Sequence, residues 1–364
     1  MVFLAVPFTW LLLLAGCASP LLYLPSEDGE ARCRQDDRLE VPEPPLRQLW
    51  RVDLGRPTMG APVVAGPVIL LSTTHPELVA LERATGERLG ALSYTGALAS
   101  PPVHHGHQVM APILGTEGRL QVLDRRSAQL VWESKGRFSA LLVVSADTLL
   151  AAREDGMLLA LRLQDGQQYW RADLQDRVWG GLAADATTVY AGTAHGKLWA
   201  LDRHDGRKRW QADVESAVRT RPLLLDSLVY VGTGAGNLVA VHQSTGKPGW
   251  STALGALPAP ELVAGGEVIV AGAADRRLYA IEPADGRLRW RFETGGVIRG
   301  GAAVTPRTAY VGSSDGYLYA VDLNSGARVW SQRLDGPVLV PVTLTAGMLV
   351  AVSERGSVYA FTAE

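Results

Sequence analysis

Three histidines in the segment HHGH are the first residues whose types and spacing could do chemistry. His104, His105 and His107 offer imidazole nitrogens, which can bind a metal when they alternate along a strand or turn. No cysteine or acidic cluster joins them nearby, and the segment has the composition of a turn between two strands. We therefore predict a solvated loop and no metal site. The sequence also contains no nucleophile elbow, phosphate-binding loop or paired-carboxylate constellation.

The two cysteines, Cys17 and Cys33, both precede the repeated part of the chain. They can neither crosslink that part nor supply a zinc site there, so packing must hold it together. Residues 1–16 are apolar and short for a permanent membrane span, which predicts a signal segment that is removed. Residues 17–45 are polar, charged and proline-rich, which predicts a flexible tether. We predict an unpaired thiol at Cys33, with a disulfide to a partner as the alternative.

The residues that end at Cys17, Leu-Ala-Gly-Cys, resemble the lipobox of bacterial lipoproteins. The resemblance implies that the Cys17 thiol receives a diacylglyceryl group and that this residue becomes the new N-terminus. Several acyl chains on one cysteine would anchor the chain firmly to a membrane. Ala18 resembles the residue found in lipoproteins that are sent to the outer membrane, so we expect a lipid anchor on its periplasmic side. An ordinary cleaved signal peptide is the alternative.

Composition excludes general disorder and argues against nucleic acid as a partner. Of the 364 residues, 47% are apolar, which is typical of a packed globular protein. The 35 lysines and arginines against 37 aspartates and glutamates give a net charge of -2. A chain of this charge has no excess positive field to gather phosphates along a groove. We therefore predict that it does not bind nucleic acid.

The body of the chain repeats one motif every 40 residues. Each copy has a small residue, a glycine-bearing turn and then a tryptophan ten residues after the small residue. The copies pair Val122 with Trp132, Ala160 with Trp170, Ala200 with Trp210, Ala240 with Trp250, Ala280 with Trp290, and Ala320 with Trp330. In a looser copy, Ala80 leads to Gly90. Ala360 opens an eighth copy without a tryptophan, whereas Trp50 has no preceding motif.

A period of this length, filled with short β-branched and apolar runs between turn residues, predicts a β-propeller. Eight small-residue openings predict an all-β fold with eight four-stranded antiparallel blades, over residues 46–364. Because Trp50 precedes Gly90 by 40 residues, the N-terminal strand should complete the sheet that the C-terminal strand leaves unfinished. The ring of blades would then close on itself.

The repeated tryptophans and small residues predict structure rather than a binding site. A broad indole can lie flat against a neighbouring sheet only where the residue that it covers is small. We therefore predict blade docking by Trp50, Trp132, Trp170, Trp210, Trp250, Trp290 and Trp330, together with Ala160, Ala200, Ala240, Ala280, Ala320 and Ala360. An aromatic ligand site would need converging rings, whereas one ring per blade spreads around the circumference. Outside this pattern, we expect Trp199 in the core, and Trp179 is a candidate for an exposed ring.

The segments ALDRHDGRKRW, AIEPADGRLRW and AVDLNSGARVW resemble the tryptophan-docking motifs of pyrroloquinoline-quinone (PQQ) propeller repeats. With the lipobox and the tether, essentially the whole mature chain resembles the BamB family of outer-membrane protein assembly factors. The resemblance implies a non-enzymatic periplasmic scaffold that needs no cofactor. Its partners would be the barrel-inserting outer-membrane protein, which is BamA-like, and the associated lipoproteins.

The contact segment of that family is an inter-strand loop that carries leucine and arginine. The nearest counterparts here are ESAVRTRP at residues 215–222 and GGVIRGG at residues 295–301, and neither is a close copy. The resemblance therefore points to the following partner contacts: Val218, Arg219, Val297, Ile298 and Arg299. Because Arg219 and Arg299 are 80 residues apart, they occupy equivalent positions in two blades that are separated by two repeats. A repeated structural sequence is therefore the alternative.

Two other functions use the same repeats. Quinoprotein alcohol dehydrogenases resemble this chain in the blade skeleton, but they stack a vicinal disulfide on the quinone beside a calcium ion. Cysteines at positions 17 and 33 cannot form a vicinal pair, and the 40-residue step lacks the long insertions of those enzymes. We therefore predict no enzyme. The remaining alternative is a periplasmic module that binds or senses another envelope protein or a small ligand. A partner strand pairing with a blade edge is a second possible binding mode.

Overall fold

A computed structural model describes residues 42–138, 142–145, 147–345 and 347–364. The predicted signal segment, Cys17, Cys33 and the tether up to residue 41 lie outside the described residues. Within those ranges the strands form eight four-stranded antiparallel sheets. This confirms the predicted eight-bladed β-propeller. The described part of the chain contains no helix that is long and apolar enough to span a membrane.

The first half of the propeller contains β1 and blades 1 to 4. The first strand is β1 (Leu46–Asp53). Blade 1 contains β2 (Val63–Ala65), β3 (Val68–Ser72), β4 (Glu77–Glu82) and β5 (Arg88–Ser93). Blade 2 contains β6 (Val103–His105), β7 (Gln108–Ile113), β8 (Arg119–Asp124) and β9 (Leu130–Lys135). Blade 3 contains β10 (Val143–Ser145), β11 (Thr148–Ala152), β12 (Met157–Arg162) and β13 (Gln168–Asp173). Blade 4 contains β14 (Val178–Ala184), β15 (Thr188–Thr193), β16 (Lys197–Asp202) and β17 (Lys208–Asp213).

The second half contains blades 5 to 8. Blade 5 contains β18 (Leu223–Leu225), β19 (Leu228–Gly232), β20 (Asn237–His242) and β21 (Pro248–Ala253). Blade 6 contains β22 (Pro258–Gly265), β23 (Val268–Ala273), β24 (Arg277–Ile281) and β25 (Leu288–Glu293). Blade 7 contains β26 (Ala302–Val304), β27 (Thr308–Gly312), β28 (Tyr317–Asp322) and β29 (Arg328–Arg333). Blade 8 contains β30 (Thr343–Thr345), β31 (Met348–Val352) and β32 (Ser357–Ala363), with β1 as its outer strand.

Blade 8 closes the ring because both ends of the described chain contribute to it. Its strand order is β1-β32-β31-β30. Strand β1 pairs antiparallel with β32, from Leu46 opposite Ala363 to Asp53 opposite Ser357. The outer strand of this blade is therefore held by hydrogen bonds and packing rather than by a connecting turn, as the repeat pattern predicts.

Each repeated alanine lies opposite the tryptophan of its own blade. These register pairs join Ala160 to Trp170, Ala200 to Trp210, Ala240 to Trp250, Ala280 to Trp290, Ala320 to Trp330, and Ala360 to Trp50. All six alanines are fully buried. The looser copies keep the same register, with Val122 opposite Trp132 and Ala80 opposite Gly90.

The indole rings dock on the next blade, where the residue beneath each ring is a glycine rather than an alanine. Trp290 donates its Nε1 hydrogen to the Leu323 carbonyl at 2.7 Å, and a Cβ on Gly326 would lie 2.8 Å from the ring. The same two contacts recur for Trp50 with Arg83 and Gly86, Trp132 with Leu163 and Gly166, Trp170 with Arg203 and Gly206, Trp210 with Gln243 and Gly246, and Trp250 with Pro283 and Gly286. This corrects the prediction that the ring covers alanine. A glycine hydrogen leaves the space that the ring needs.

Trp330 has a different contact because β32 ends at Ala363 and no turn joins it to β1. Its ring instead meets Phe361 edge-on, with the ring centroids 5.6 Å apart. Edge-to-face packing at this distance is favourable for aromatic pairs. The junction between blades 7 and 8 therefore keeps an aromatic contact without the glycine-bearing turn.

The hydrophobic core consists of layers between neighbouring blades. Between blades 6 and 7, Val270 and Trp290 pack with Ile298 and Ala309. The inner strands begin on one face of the ring, which we call the front face, and end on the other, which we call the back face. Because the packed layers fix the blades, the connections on these two faces are the parts of the fold that are free to vary.

Candidate functional site

A cavity of about 740 Å³ lies around the axis at the front face. Its walls come from residues at or just before the inner strands, so several blades contribute to it. We call it the mouth cavity, and its principal lining residues are Met59, Pro101, Trp179, Arg219, Leu257 and Arg299. A cavity of this size falls within the range of ligand pockets, roughly 300–1,000 Å³.

The 40-residue repeat explains why side chains from different blades reach the same cavity. Met59, Trp179, Arg219 and Arg299 are separated by multiples of 40 residues, and all four line it. Neighbouring residues in an extended segment point to opposite sides. One position in each copy therefore faces the axis, whereas the position before it faces the packing between blades.

Val218 and Ile298 occupy the packing position, which corrects their prediction as partner contacts. They are only 0% and 1% exposed. A Cβ on Gly192 would lie 2.3 Å from Val218 Cγ1, and a Cβ on Gly272 would lie 2.4 Å from Ile298 Cγ2. The two side chains therefore fill spaces that glycines leave open, so they serve the interblade core rather than a partner.

Arg219, Val297 and Arg299, the other three predicted contacts, line the mouth cavity, and the largely buried Ile298 also borders it. The Arg219 Cζ lies 4.1 Å from the centroid of the Trp179 ring. A guanidinium above an indole face is a favourable cation–π contact. The Trp179 ring remains 51% exposed, so the candidate for an exposed ring forms part of the same surface as the predicted arginines.

The mouth cavity is positively charged, because no aspartate or glutamate is among its described lining residues. Within the described ranges, neither Arg219 nor Arg299 makes an ion pair. Ser100 also lines the cavity, and its Oγ is buried without a hydrogen-bond partner there. Uncommitted donors beside an apolar wall suit a ligand that carries a negative charge.

Sequence reasoning missed Leu257, Met59 and Pro101 in this cavity. Leu257 is 38% exposed although it is a large apolar residue. A signal for it was available, since Leu257 and Val297 are 40 residues apart and occupy equivalent places. Reading every position that aligns with the predicted contacts, rather than only those with matching letters, would have found it.

A second cavity of about 480 Å³ lies among inner-strand residues that include Arg221 and Glu261. Burial raises the pKa of the Glu261 carboxyl group, and the nearby Arg221 charge opposes that shift. The Arg221 Nε donates a hydrogen bond to the Leu182 carbonyl at 3.0 Å. An acid accompanies the arginine in this cavity, in contrast to the mouth cavity.

The HHGH segment is a tight hairpin, so the prediction of a solvated loop is wrong for part of it. His104 and His105 end β6, and β7 begins directly after His107. The His104 Nδ1 is buried. Burial and, to a smaller extent, the nearby Arg125 charge lower the pKa of His104 to about 4. Within the described residues, no group of three metal-ligand side chains is placed to hold a metal ion.

The repeat architecture is specific enough to compare with families of known proteins. A family model described as outer membrane protein assembly factor BamB matches residues 46–176, 154–296 and 274–364. These overlapping matches cover all eight blades. The chain belongs to the BamB family. No curated protein matches it at the level of sequence.

Solved structures with the same fold include a BamB and other proteins. BamB from Moraxella catarrhalis has 19% identity and a TM-score of 0.73, covering 87% of this chain and 99% of that one. A quinohemoprotein alcohol dehydrogenase from Comamonas testosteroni has 14% identity and a TM-score of 0.72, covering 87% and 76%. Sqt1 from Saccharomyces cerevisiae has 12% identity and a TM-score of 0.73, covering 87% and 99%. At such identities the likeness shows the fold alone, whereas the BamB family rests on the sequence model.

Proposed function

We propose that this BamB-family protein is a non-enzymatic periplasmic scaffold of the outer-membrane β-barrel assembly machinery. It binds the barrel-inserting outer-membrane protein and assists the insertion of outer-membrane proteins. The observation that carries this proposal is the family match over the whole propeller. The role requires a rigid body with a binding surface, and it requires no chemistry at that surface.

The mouth cavity and its rim are the surface that we propose for the partner. Trp179 and Leu257 expose large apolar side chains there, and Arg219 and Arg299 add charged donors. Tryptophan and arginine are the residue types most often found at the energetic centre of protein interfaces. The charge on this rim would also steer an acidic partner surface toward it.

Where the chain enters the propeller supports this choice of face. The Tyr310 hydroxyl donates to the Pro42 carbonyl at 2.7 Å, and the Thr308 hydroxyl donates to Glu43 Oε2 at 2.5 Å. Thr308 is the first residue of β27, so these contacts lie at the back face. The chain that leads to the proposed membrane anchor therefore enters the propeller on the face opposite the mouth cavity.

Affinity purification from gently solubilised envelopes tests the proposed function. The tagged full-length chain should recover the barrel-inserting protein and its associated lipoproteins, identified by mass spectrometry. Recovery of other envelope proteins instead would favour the alternative role as a binding or sensory module. A saturable small ligand in a thermal-shift screen would favour the same alternative, because the mouth cavity has the volume of a ligand pocket.

A serine in place of Cys17 should release the protein from the membrane, since serine has no thiol to accept a lipid. Cell fractionation is expected to move the Cys17→Ser variant into the soluble fraction, and its intact mass should lack acyl chains. Cys33→Ser is the matched control and should stay with the membrane. A wild-type protein that is soluble, or a Cys17→Ser variant that still sediments with membranes, would contradict the lipid anchor.

A further inference from the structure

The mouth cavity combines charge and apolar surface in a way that restricts its ligand. Arg219 and Arg299 supply two positive charges, and no acidic residue is among the described lining residues. Within the described ranges, neither guanidinium group forms an ion pair. Arg219 is half-buried and Arg299 is exposed, so both guanidinium groups are accessible and can form charge-assisted hydrogen bonds to an anion that enters the cavity.

The contact between Arg219 and Trp179 prepares this arginine for a planar anion. The guanidinium lies above the indole face at 4.1 Å, which engages its face and leaves its in-plane N–H donors available. Arginine recognises a carboxylate through two parallel hydrogen bonds in that plane. Ser100 Oγ, which is buried and has no partner among the described residues, adds another hydroxyl donor at the cavity wall.

The rest of the wall is suited to apolar side chains. Leu257, Pro258, Ala259 and Pro260 form one continuous stretch of it, and Pro101 lines it from another blade. Proline and alanine offer no side-chain hydrogen-bonding groups, so this wall favours methyl groups or rings. A free phosphate would make no use of such a wall, whereas a polypeptide could fill it.

We infer that the mouth cavity binds the C-terminal carboxylate of a polypeptide whose last residues are apolar. The inference rests on the proposed function only in taking a protein as the ligand. A chain end can enter an axial cavity with a single strand, whereas an internal acidic residue must bring chain in on both sides. Arg219 and Arg299 hold the terminal carboxylate, and the Leu257 to Pro260 stretch receives the last apolar side chains.

Fluorescence anisotropy on the purified full chain in mild detergent tests this inference. The probes are a labelled pentapeptide ending in Leu-Phe with a free carboxylate, the same peptide as its carboxamide, and a carboxamide peptide with an internal glutamate. The free acid should bind at least about 10-fold more tightly than the plain carboxamide, because the carboxamide cannot make charge-assisted hydrogen bonds to the arginines. Its affinity should exceed that of the glutamate peptide by a similar factor, because an internal carboxylate must bring chain into the cavity on both sides.

Substitutions in the cavity test whether it causes the difference in affinity between the free acid and the carboxamide. Arg219→Gln and Arg299→Gln should each weaken binding of the free acid about 10-fold and leave the carboxamide unchanged. Arg291→Gln is the matched control, since Arg291 is exposed on the outer strand of blade 6. Thermal unfolding of each variant checks that the fold is intact.

Four results would overturn the inference. Equal affinity for the acid and the carboxamide would show that the cavity does not recognise the carboxylate. Equal binding of the glutamate peptide would show that the cavity recognises an acidic side chain rather than a chain end. Discrimination that survives both glutamine variants would place the ligand elsewhere. Displacement of the acid peptide by inorganic phosphate at matched concentration would assign the arginines to a phosphate ligand. If the peptide does not bind as expected but the barrel-inserting protein is still recovered from envelopes, the inference fails and the proposed function stands.

Discussion

Trp290→Ala is expected to lower the free energy of unfolding by about 3–5 kcal/mol, as for other large aromatic side chains removed from a core. The Trp290 side chain is 8% exposed and lies between blades 6 and 7. Its loss would leave a cavity above Gly326 and remove the hydrogen bond to the Leu323 carbonyl. Urea unfolding of the full chain, followed by circular dichroism, measures the change.

Trp179→Ala is the matched control in the same chain. Its ring is 51% exposed and meets Arg219 rather than a neighbouring blade. The expected loss is about 1 kcal/mol or less. Similar losses at the two tryptophans would contradict the assignment of Trp290 to blade docking and of Trp179 to the surface.

Removal of residues 1–53 is expected to abolish a stable folded propeller. The deletion takes away β1, which pairs with β32 along its whole length and closes blade 8. It also removes the buried Trp50, whose Nε1 donates to the Arg83 carbonyl at 3.0 Å in blade 1. An open ring exposes the β32 edge and two interblade layers, which favours aggregation. Size-exclusion chromatography and thermal unfolding of the purified protein measure the outcome.

Removal of residues 1–41 provides the control for that deletion. It keeps Pro42 and Glu43, which contact Tyr310 and Thr308, and it keeps β1. This shorter deletion should unfold at the same temperature as the full chain. Cooperative unfolding by the longer deletion would contradict the role of β1 in closing the ring.

The 40-residue spacing predicts the architecture well because a propeller repeats one unit around an axis. The position of Trp50 relative to Gly90 was enough to predict that β1 completes blade 8. The spacing could not predict which glycine lies under each indole. That contact joins Trp290 to Gly326, and the pairing between blades depends on the packing of whole sheets rather than on the motif within one blade.

The candidate site was predicted only in part for a related reason. Val218 and Arg219 are neighbours in the sequence, but one enters the interblade core and the other faces the axis. Successive residues at the start of a strand face the interblade core and the axis in turn, so residue type alone does not show which of the two a given residue faces. His104 shows the same limit, since a polar turn sequence gave no sign that its Nδ1 is buried.

We propose that this BamB-family propeller joins the barrel-inserting protein through its front face. The most direct measurement is the amount of that protein recovered from envelopes by the tagged wild-type chain and by the Arg219→Glu/Arg299→Glu variant. We predict recovery by the wild type, at most about a tenth of it by the double variant, and full recovery by Arg291→Glu. Absence of the barrel-inserting protein from the wild-type sample would contradict the scaffold function, and undiminished recovery by the double variant would contradict the proposed face.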